Sequence, residues 1–441
     1  MKKTKSLSRI YSTIILLVFF CFASCEKNLS ENEQKTFTEE TSSEPILELA
    51  YPDKKGTLTE IAYLGQRLPV EKFNEDYVYQ GDIILTPQKD AKGVGRSLRR
   101  YRWPDNTVFF TIDSTLTNRT RVVDAIDHWE NNTNLRFIER TTEPNYIHFR
   151  PGLGCSSNVG MIGGRQFITL ARGCTTGTTI HEIGHAIGLW HEQSREDRNV
   201  TVQVNFENIQ NGRDFNFETY GEQNQDGEEL SGALDLSSIM MYHPCSFAIA
   251  CLPAQICNCS VEEATIVRRS FGGRLYEIQR DGLSRKDINS VKRMYPLASP
   301  WLTGNSNGFT NRIVTLSRVD GLVVREQGGY GIVNTAIKGG IFTSSYTSNN
   351  FNGVVKRTNF IAQQDFATGI EVKEQYGYGI IDLRLTNSSG QTSWATRNNN
   401  EDRILKYEAP VGMAIKGIQT QEQYGYGIVD IRVILERMGA F

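Results

Sequence analysis

The sequence predicts two folded parts, an α+β domain followed by an all-β domain built on a threefold repeat. Three observations carry this. His181 and His185 stand four residues apart, which puts both imidazoles on one face of a helix. Gly163 to Arg172 alternates apolar and polar residues as a strand does. The pairs Glu326-Gln327, Glu374-Gln375 and Glu422-Gln423 recur every 48 residues through a C-terminal stretch with strand-like alternation. At 441 residues the chain has length for two or three domains and a real core. A formal charge of −2, with no basic block interleaved with aromatics, argues against nucleic acid as a partner.

The helix carries chemistry. Beside an ion gripped by His181 and His185, the Glu182 carboxylate can take a proton from a zinc-bound water and hand it to a leaving amine. Gly188 is a poor helix former that accepts positive φ, so it can end the helix and swing the chain back to bring His191 in as third ligand. Three neutral imidazoles leave a fourth position open for water, as a catalytic zinc requires. One Zn2+ per subunit is expected. The other histidines, His128, His148 and His243, have no paired spacing and read as structural.

The extended motif from His181 to His191 resembles the metzincin signature. Glu192 with Arg195, Asp197 and Arg198 resembles the astacin branch, in a bacterial, flavastacin-like form. Ser238 to Tyr242 resembles the turn beneath the metal in that group, with Met240 as its methionine and Met241 where astacins usually carry His. The resemblance implies a metzincin protease domain, a mixed twisted sheet plus active-site helix, over about residues 96–298. It implies that Tyr242 binds zinc at rest and swings away to stabilise the transition-state oxyanion, and that Glu192 meets the new amino terminus of the mature enzyme. It extends upstream through an amphipathic helix from Val122 to Arg140, with Ala125, Ile126 and Trp129 on one side, and through strand-like Tyr146 to Arg150. In this setting Gly163 to Arg172 is expected to be the edge strand, to which a substrate adds as an antiparallel strand. The implied activity is a secreted zinc endopeptidase acting on proteins or peptides. Family likeness leans toward acidic residues just after the cut bond, and no cation to receive them is assignable from sequence.

At the amino terminus, Lys2, Lys3, Lys5 and Arg9 precede an apolar run from Ile14 to Phe22, too short for a stable membrane anchor and right for a secretory signal. Ala23-Ser24-Cys25 resembles a bacterial lipobox, with Phe22 in place of the usual Leu. Lipidation of Cys25 and plain cleavage both stand, which makes residues 1–25 a signal of lipoprotein type. The product is secreted, or is a cell-surface or outer-membrane lipoprotein of a bacterium, meeting the membrane only through a lipid anchor. Residues 26–95 read as a polar tether, to about residue 50, and a propeptide that turns strand-like from Ile61 to about Leu98. Tyr79-Gln80-Gly81-Asp82 is by itself a Gly-Asp turn. In astacin precursors a similar Phe-x-Gly-Asp sets its Asp on the zinc, which would make Asp82 the zymogen switch. Arg96, Arg99, Arg100 and Arg102 form a stretch suited to trypsin-like cleavage, so the mature enzyme should start near residues 90–100.

Cys21 and Cys25 belong to the signal; Cys155, Cys174, Cys245, Cys251, Cys257 and Cys259 remain, an even number that fits disulfides in an oxidising compartment. By the astacin resemblance Cys155 pairs with Cys174. The last four allow three connectivities, with a second metal cluster as rival.

Three units fill residues 299–441. Gly321, Gly369 and Gly417 keep phase, as do Tyr330-Gly331-Ile332, Tyr378-Gly379-Ile380 and Tyr426-Gly427-Ile428. Three equal β units suggest closure about a threefold axis. The pattern resembles the β-prism of the vitelline membrane outer layer proteins. The tyrosines either stack on sugars, giving a glycan or cell-surface ligand, or are core and turn residues repeated because the fold repeats. Two functions survive: a latent secreted zinc endopeptidase with a targeting module, and a binding or adhesion protein that uses the protease domain as scaffold.

Overall fold

The structure, a computed structural model, describes residues 48–441 apart from 53, 64, 88–100, 224–226, 228, 231, 271–272, 329, 360–365, 425–426 and 439–441. The signal with Cys25, nearly all of the tether, Arg96, Arg99, Arg100 and Tyr426 lie outside the described residues. Residues 48–50, expected as the end of the tether, are buried against the domain that follows.

Four short strands, β1 (Thr57–Tyr63), β2 (Gln66–Phe73), β3 (Asp76–Tyr79) and β4 (Ile83–Leu85), form an antiparallel meander. Its apolar face, with Leu68, Val70, Tyr79 and Ile83, packs on Val159 and Phe215 of the next domain. Glu71 on β2 forms a buried bidentate pair with Arg213, one arm at 2.6 Å.

The central sheet holds β5 (Thr107–Ile112), β6 (Arg136–Glu139), β7 (Tyr146–Pro151), β8 (Cys155–Ser156) and β9 (Arg165–Leu170), in the order β6-β5-β7-β9-β8. All neighbours are parallel except β8 on β9. The expected edge strand is therefore corrected. β9 lies between β7 and β8, and the two-residue β8 is the edge. The helix expected to Arg140 is also shorter. α1 (Thr120–Asn132) stops where Thr133 turns extended and its hydroxyl takes the Trp129 carbonyl at 2.7 Å, and residues 136–139 enter the sheet as β6. Val122, Ala125, Ile126 and Trp129 of α1 meet Ile180 and Ile183 of α2 (Thr176–Ala186) in the main core.

Disulfides join Cys155 to Cys174, Cys245 to Cys259 and Cys251 to Cys257. The first matches the expected pairing and fastens edge strand β8 to the start of α2; the other two exclude a second metal cluster. β10 (Val202–Val204) pairs with β11 (Ile266–Arg268), and α3 (Arg285–Met294), capped by a Ser284–Asp287 box, closes the domain. Among the described residues no helix is long and apolar enough to cross a membrane.

The tail is all β: β12 (Phe309–Thr310), β13 (Val314–Thr315), β14 (Gly321–Gln327), β15 (Gly331–Gly339), β16 (Phe342–Thr343), β17 (Val354–Asn359), β18 (Gly369–Gln375), β19 (Gly379–Asn387), β20 (Gly390–Gln391), β21 (Arg403–Glu408), β22 (Met413–Gln423) and β23 (Gly427–Arg437). They make three four-stranded sheets. The first is β16-β15-β14-β17, the second β20-β19-β18-β21, and in the third β22 and β23 from the chain end are completed by β12 and β13 from the tail's beginning. Ile332, Ile380 and Ile428, one per repeat, share the core. The repeated glycines explain the closure. A Cβ on Gly331 would lie 2.8 Å from the Ile380 carbonyl oxygen, one on Gly379 2.6 Å from that of Ile428, and one on Gly427 2.7 Å from that of Ile332. Each sheet leans on the next in a closed cycle that only glycine permits.

Candidate metal centre

α2 is capped by Thr175, whose side chain accepts from the Thr178 amide, and it is buried nearly throughout. Its helical spacing aims His181 and His185 the same way, their rings 4.7 Å apart. Gly188 has φ +109°, and the reversal there returns His191, whose ring lies 4.6 Å from that of His185. The Nδ1 of His181 meets the Ile239 carbonyl at 2.7 Å and that of His185 the Leu189 carbonyl at 2.8 Å. With protons on Nδ1, the Nε2 lone pairs converge.

A fourth side chain joins them. Asp82 Oδ2 lies 3.2 Å from Nε2 of His181, 3.2 Å from Nε2 of His191 and 3.7 Å from Nε2 of His185, and the two nitrogens of His185 and His191 are 3.2 Å apart. Four donors at about 2.0 Å from a tetrahedral zinc would stand about 3.3 Å from one another, so this N3O set fits that ion. All four side chains are buried. Gln80 and Gly81, with φ +49° and +84°, make the turn that drives Asp82 inward; a Cβ on Gly81 would sit 2.9 Å from Leu49 Cδ2. Burial by itself would raise the Asp82 carboxyl, and the imidazoles of His191 and His185 hold it well below its ordinary range.

Glu182 is fully buried, and neither carboxylate oxygen has a hydrogen-bond partner among the described residues. Burial, then the charges of Asp82 and Glu48, push its carboxyl well above the ordinary range. The Tyr242 hydroxyl donates to the Gln80 carbonyl at 2.6 Å; expected at the metal, it is held instead by the backbone two residues before Asp82. Met240 lies under the helix, where a Cβ on Gly184 would meet its Sδ at 2.7 Å. The turn is pinned from α3 by Asp287, which accepts from Ser238 Oγ at 2.6 Å and from the Ile239 amide at 2.9 Å. Glu192 is half-buried beside a cavity of about 70 Å³ that Arg102, Arg195 and Met294 also line; its partial removal from water raises its carboxyl to about 7. His128, His148 and His243 lie outside the cluster.

Sequence reasoning missed Gln80, Glu48 and Arg280. Glu48 and Arg280 form a buried bidentate pair, the guanidinium also donating to the Met241 carbonyl at 3.1 Å, and a Glu48 oxygen lies 3.7 Å from His181 Nδ1. Leu49 packs with Met241, Tyr242 and Phe247. Residues 82–84 lie parallel to the end of the sheet edge: the Ile84 amide donates to the Ser157 carbonyl at 2.8 Å and the Ser157 amide to the Asp82 carbonyl at 3.1 Å. The N-terminal segment therefore lies against the metal cluster and against strand end 155–157 at once, the Cys155 amide donating to the Leu49 carbonyl at 2.9 Å.

Residues 95–296 match the family profile of the astacin peptidases. Protein SpAN of Strongylocentrotus purpuratus is 32% identical over 310 residues, 64% of this chain and 47% of that protein. Astacin-like metalloprotease toxin 1 of Loxosceles intermedia is 37% identical over 208 residues, 46% of this chain and 75% of the toxin. The chain spans about half the length of the sea-urchin relative. Among solved structures, high choriolytic enzyme 1, a hatching enzyme zinc-protease from Oryzias latipes, is 29% identical over 44% of this chain and 92% of its own, with a TM-score of 0.38.

Proposed function

From the premise that this chain belongs to the astacin family of peptidases, we propose that it is the latent precursor of an exported zinc endopeptidase. The observation that carries the reading is the approach of Asp82 Oδ2 to the Nε2 atoms of His181, His185 and His191 at 3.2, 3.7 and 3.2 Å. Those three imidazoles would hold the ion, with Asp82 in the fourth position of the precursor. Bound there, zinc would supply Lewis acidity toward water and the peptide carbonyl. Glu182, held dry beside the histidines, takes the proton of the attacking water and delivers it to the leaving amine. Tyr242, freed from the Gln80 carbonyl, turns its hydroxyl to the oxyanion.

Cleavage near Arg96 to Arg102 removes Asp82 and Gln80 together, and the segment 155–158, vacated by residues 82–84, offers an edge to which substrate adds as an antiparallel strand. Glu192, beside a cavity lined by Arg102, is the acid that meets the new amino terminus. Loss of Glu48 leaves Arg280 a buried cation without its carboxylate, which supports a preference for an acidic substrate side chain next to the cut bond. The hairpin-tip tyrosines Tyr330, Tyr376, Tyr378 and Tyr424 are 39%, 64%, 44% and 96% exposed, so they are not core. Exposed at the turns, they are placed to stack on a sugar face, the glycan or cell-surface ligand we assign to the repeats, with Cys25 as lipid anchor. A complete ligand set with Glu182 and Tyr242 counts against a scaffold that only binds.

The test measures zinc content and cleavage of denatured casein on one sample, before and after trypsin and with a chelator. Zinc without casein cleavage after processing would leave the domain a scaffold; absence of zinc would remove the proposed chemistry.

A further inference from the structure

An imidazole that offers Nε2 to a metal needs an acceptor at Nδ1, which fixes both the tautomer and the rotation of the ring. For His181 and His185 that acceptor is main chain of the protease domain, the carbonyls of Ile239 and Leu189. For His191 it is Gln80 Oε1, at 2.9 Å, and Gln80 belongs to the segment ahead of the basic stretch. The Gln80 amide is oriented by its own contacts. Its Nε2 donates to Ser194 Oγ at 2.8 Å and meets Tyr79 Oη at 3.1 Å, while the Tyr79 hydroxyl donates to Gln223 Oε1 at 2.6 Å. With a metal on Nε2 the His191 Nδ1 carries a proton and needs an acceptor, and Oε1 is the amide atom that can accept it, which leaves Nε2 to Ser194 and Tyr79. Gln80 is 1% exposed and holds φ +49°, which a non-glycine residue keeps only where its surroundings impose it.

We propose that Gln80 is a positioning residue for His191, so that the removable segment builds the metal site as well as silencing it. Asp82 goes to the ion, and Gln80 aims the third histidine at it. The precursor is then the form in which zinc is taken up most tightly, and processing strips the site of one ligand and of one ligand's hydrogen-bond partner together. This rests on reading the cluster as a zinc centre with a removable N-terminal segment.

The experiment titrates metal-free precursor with zinc against a chromophoric chelator, the residues Arg96 to Arg102 being replaced by uncleavable ones. Gln80→Leu should weaken zinc binding about 10- to 100-fold, the usual cost of losing the partner of a ligating histidine. Gln80→Glu, which keeps an acceptor for the His191 Nδ1 proton, should stay within about threefold of the parent. Glu71→Ala removes a docking contact of the segment, its pair with Arg213, without touching Gln80 or His191, and should cost less than Gln80→Leu. Equal zinc affinity in the parent and Gln80→Leu precursors would overturn the proposal, as would an equal loss in Glu71→Ala, which would reduce Gln80 to a docking contact. A further comparison uses precursors with the native basic stretch. After processing, the parent and Gln80→Leu enzymes have the same sequence and should bind zinc alike; a deficit that persists would mark misfolding and refute the assignment. A parent precursor that takes up no zinc would overturn the zinc-centre reading itself, a result distinct from all of these.

Discussion

Asp82 Oδ2 lies 3.2 Å from His191 Nε2 across 109 residues of sequence. A carboxylate so placed occupies the position that water needs and brings a negative charge near Glu182, whose carboxyl is raised by burial first and by that charge next. Asp82→Ala should therefore let an uncleavable precursor cut a small peptide, while the processed enzyme, which lacks residue 82, is unchanged. Peptide turnover by the two precursors checks this. If both are equally silent, the segment blocks the cleft by bulk.

Glu182 gives the second prediction. It lies beside the histidines without joining their cluster, so Glu182→Ala should keep zinc and lose roughly 10²- to 10⁴-fold in turnover, the usual contribution of a general base. Metal content and peptide cleavage are to be read on the same preparation. Loss of zinc would recast Glu182 as a structural support, and wild-type turnover would exclude it as the base.

What was legible in the sequence was what repeats locally. His181, His185 and Gly188 lie on one helix and its end, so 3.6-residue geometry announces them, and Gly188 takes the positive φ expected of it. The 48-residue phase likewise fixed which glycines would matter. What was hidden is long-range. Alternation identified β9 as a strand but could not reveal that a two-residue strand, Cys155–Ser156, lies outside it. Glu48 and Arg280 meet across 232 residues with no motif at either end, and Glu48 sat in a stretch whose polar composition read as a tether. Gln80 stands at the unspecified position of a Phe-x-Gly-Asp-like turn, and nothing local marks a side chain that reaches His191.

The Glu48–Arg280 pair leads to the third prediction. In the processed enzyme Arg280 loses Glu48, and its remaining contacts are carbonyl oxygens such as that of Met241. Arg280→Leu should lower kcat/KM for peptides with Asp or Glu just after the cut bond by roughly 10- to 100-fold, the worth of a charged hydrogen bond, and leave peptides with neutral residues there much less affected. Matched peptide pairs measure it. An equal loss on both would show that Arg280 supports the Met241 backbone and does not select substrate.

The last prediction separates closure of the repeat from simple glycine flexibility. Gly377 and Gly379 lie in one hairpin tip, with φ +80° and +77°. A methyl group at 377 meets nothing within 4 Å, whereas at 379 it would stand 2.6 Å from the Ile428 carbonyl oxygen of the next sheet. Gly377→Ala therefore carries only the cost of left-handed backbone, about 1 kcal/mol, while Gly379→Ala adds a clash with backbone that cannot move without opening the threefold cycle. The second variant should lose a further 1–3 kcal/mol or so. Cleavage of a small peptide should be the same in both, because the metal cluster draws all its residues from the segment and the protease domain. Denaturant unfolding of both variants decides the matter: equal destabilisation would mean that the three sheets are held by their shared isoleucine core, with the glycine contacts incidental.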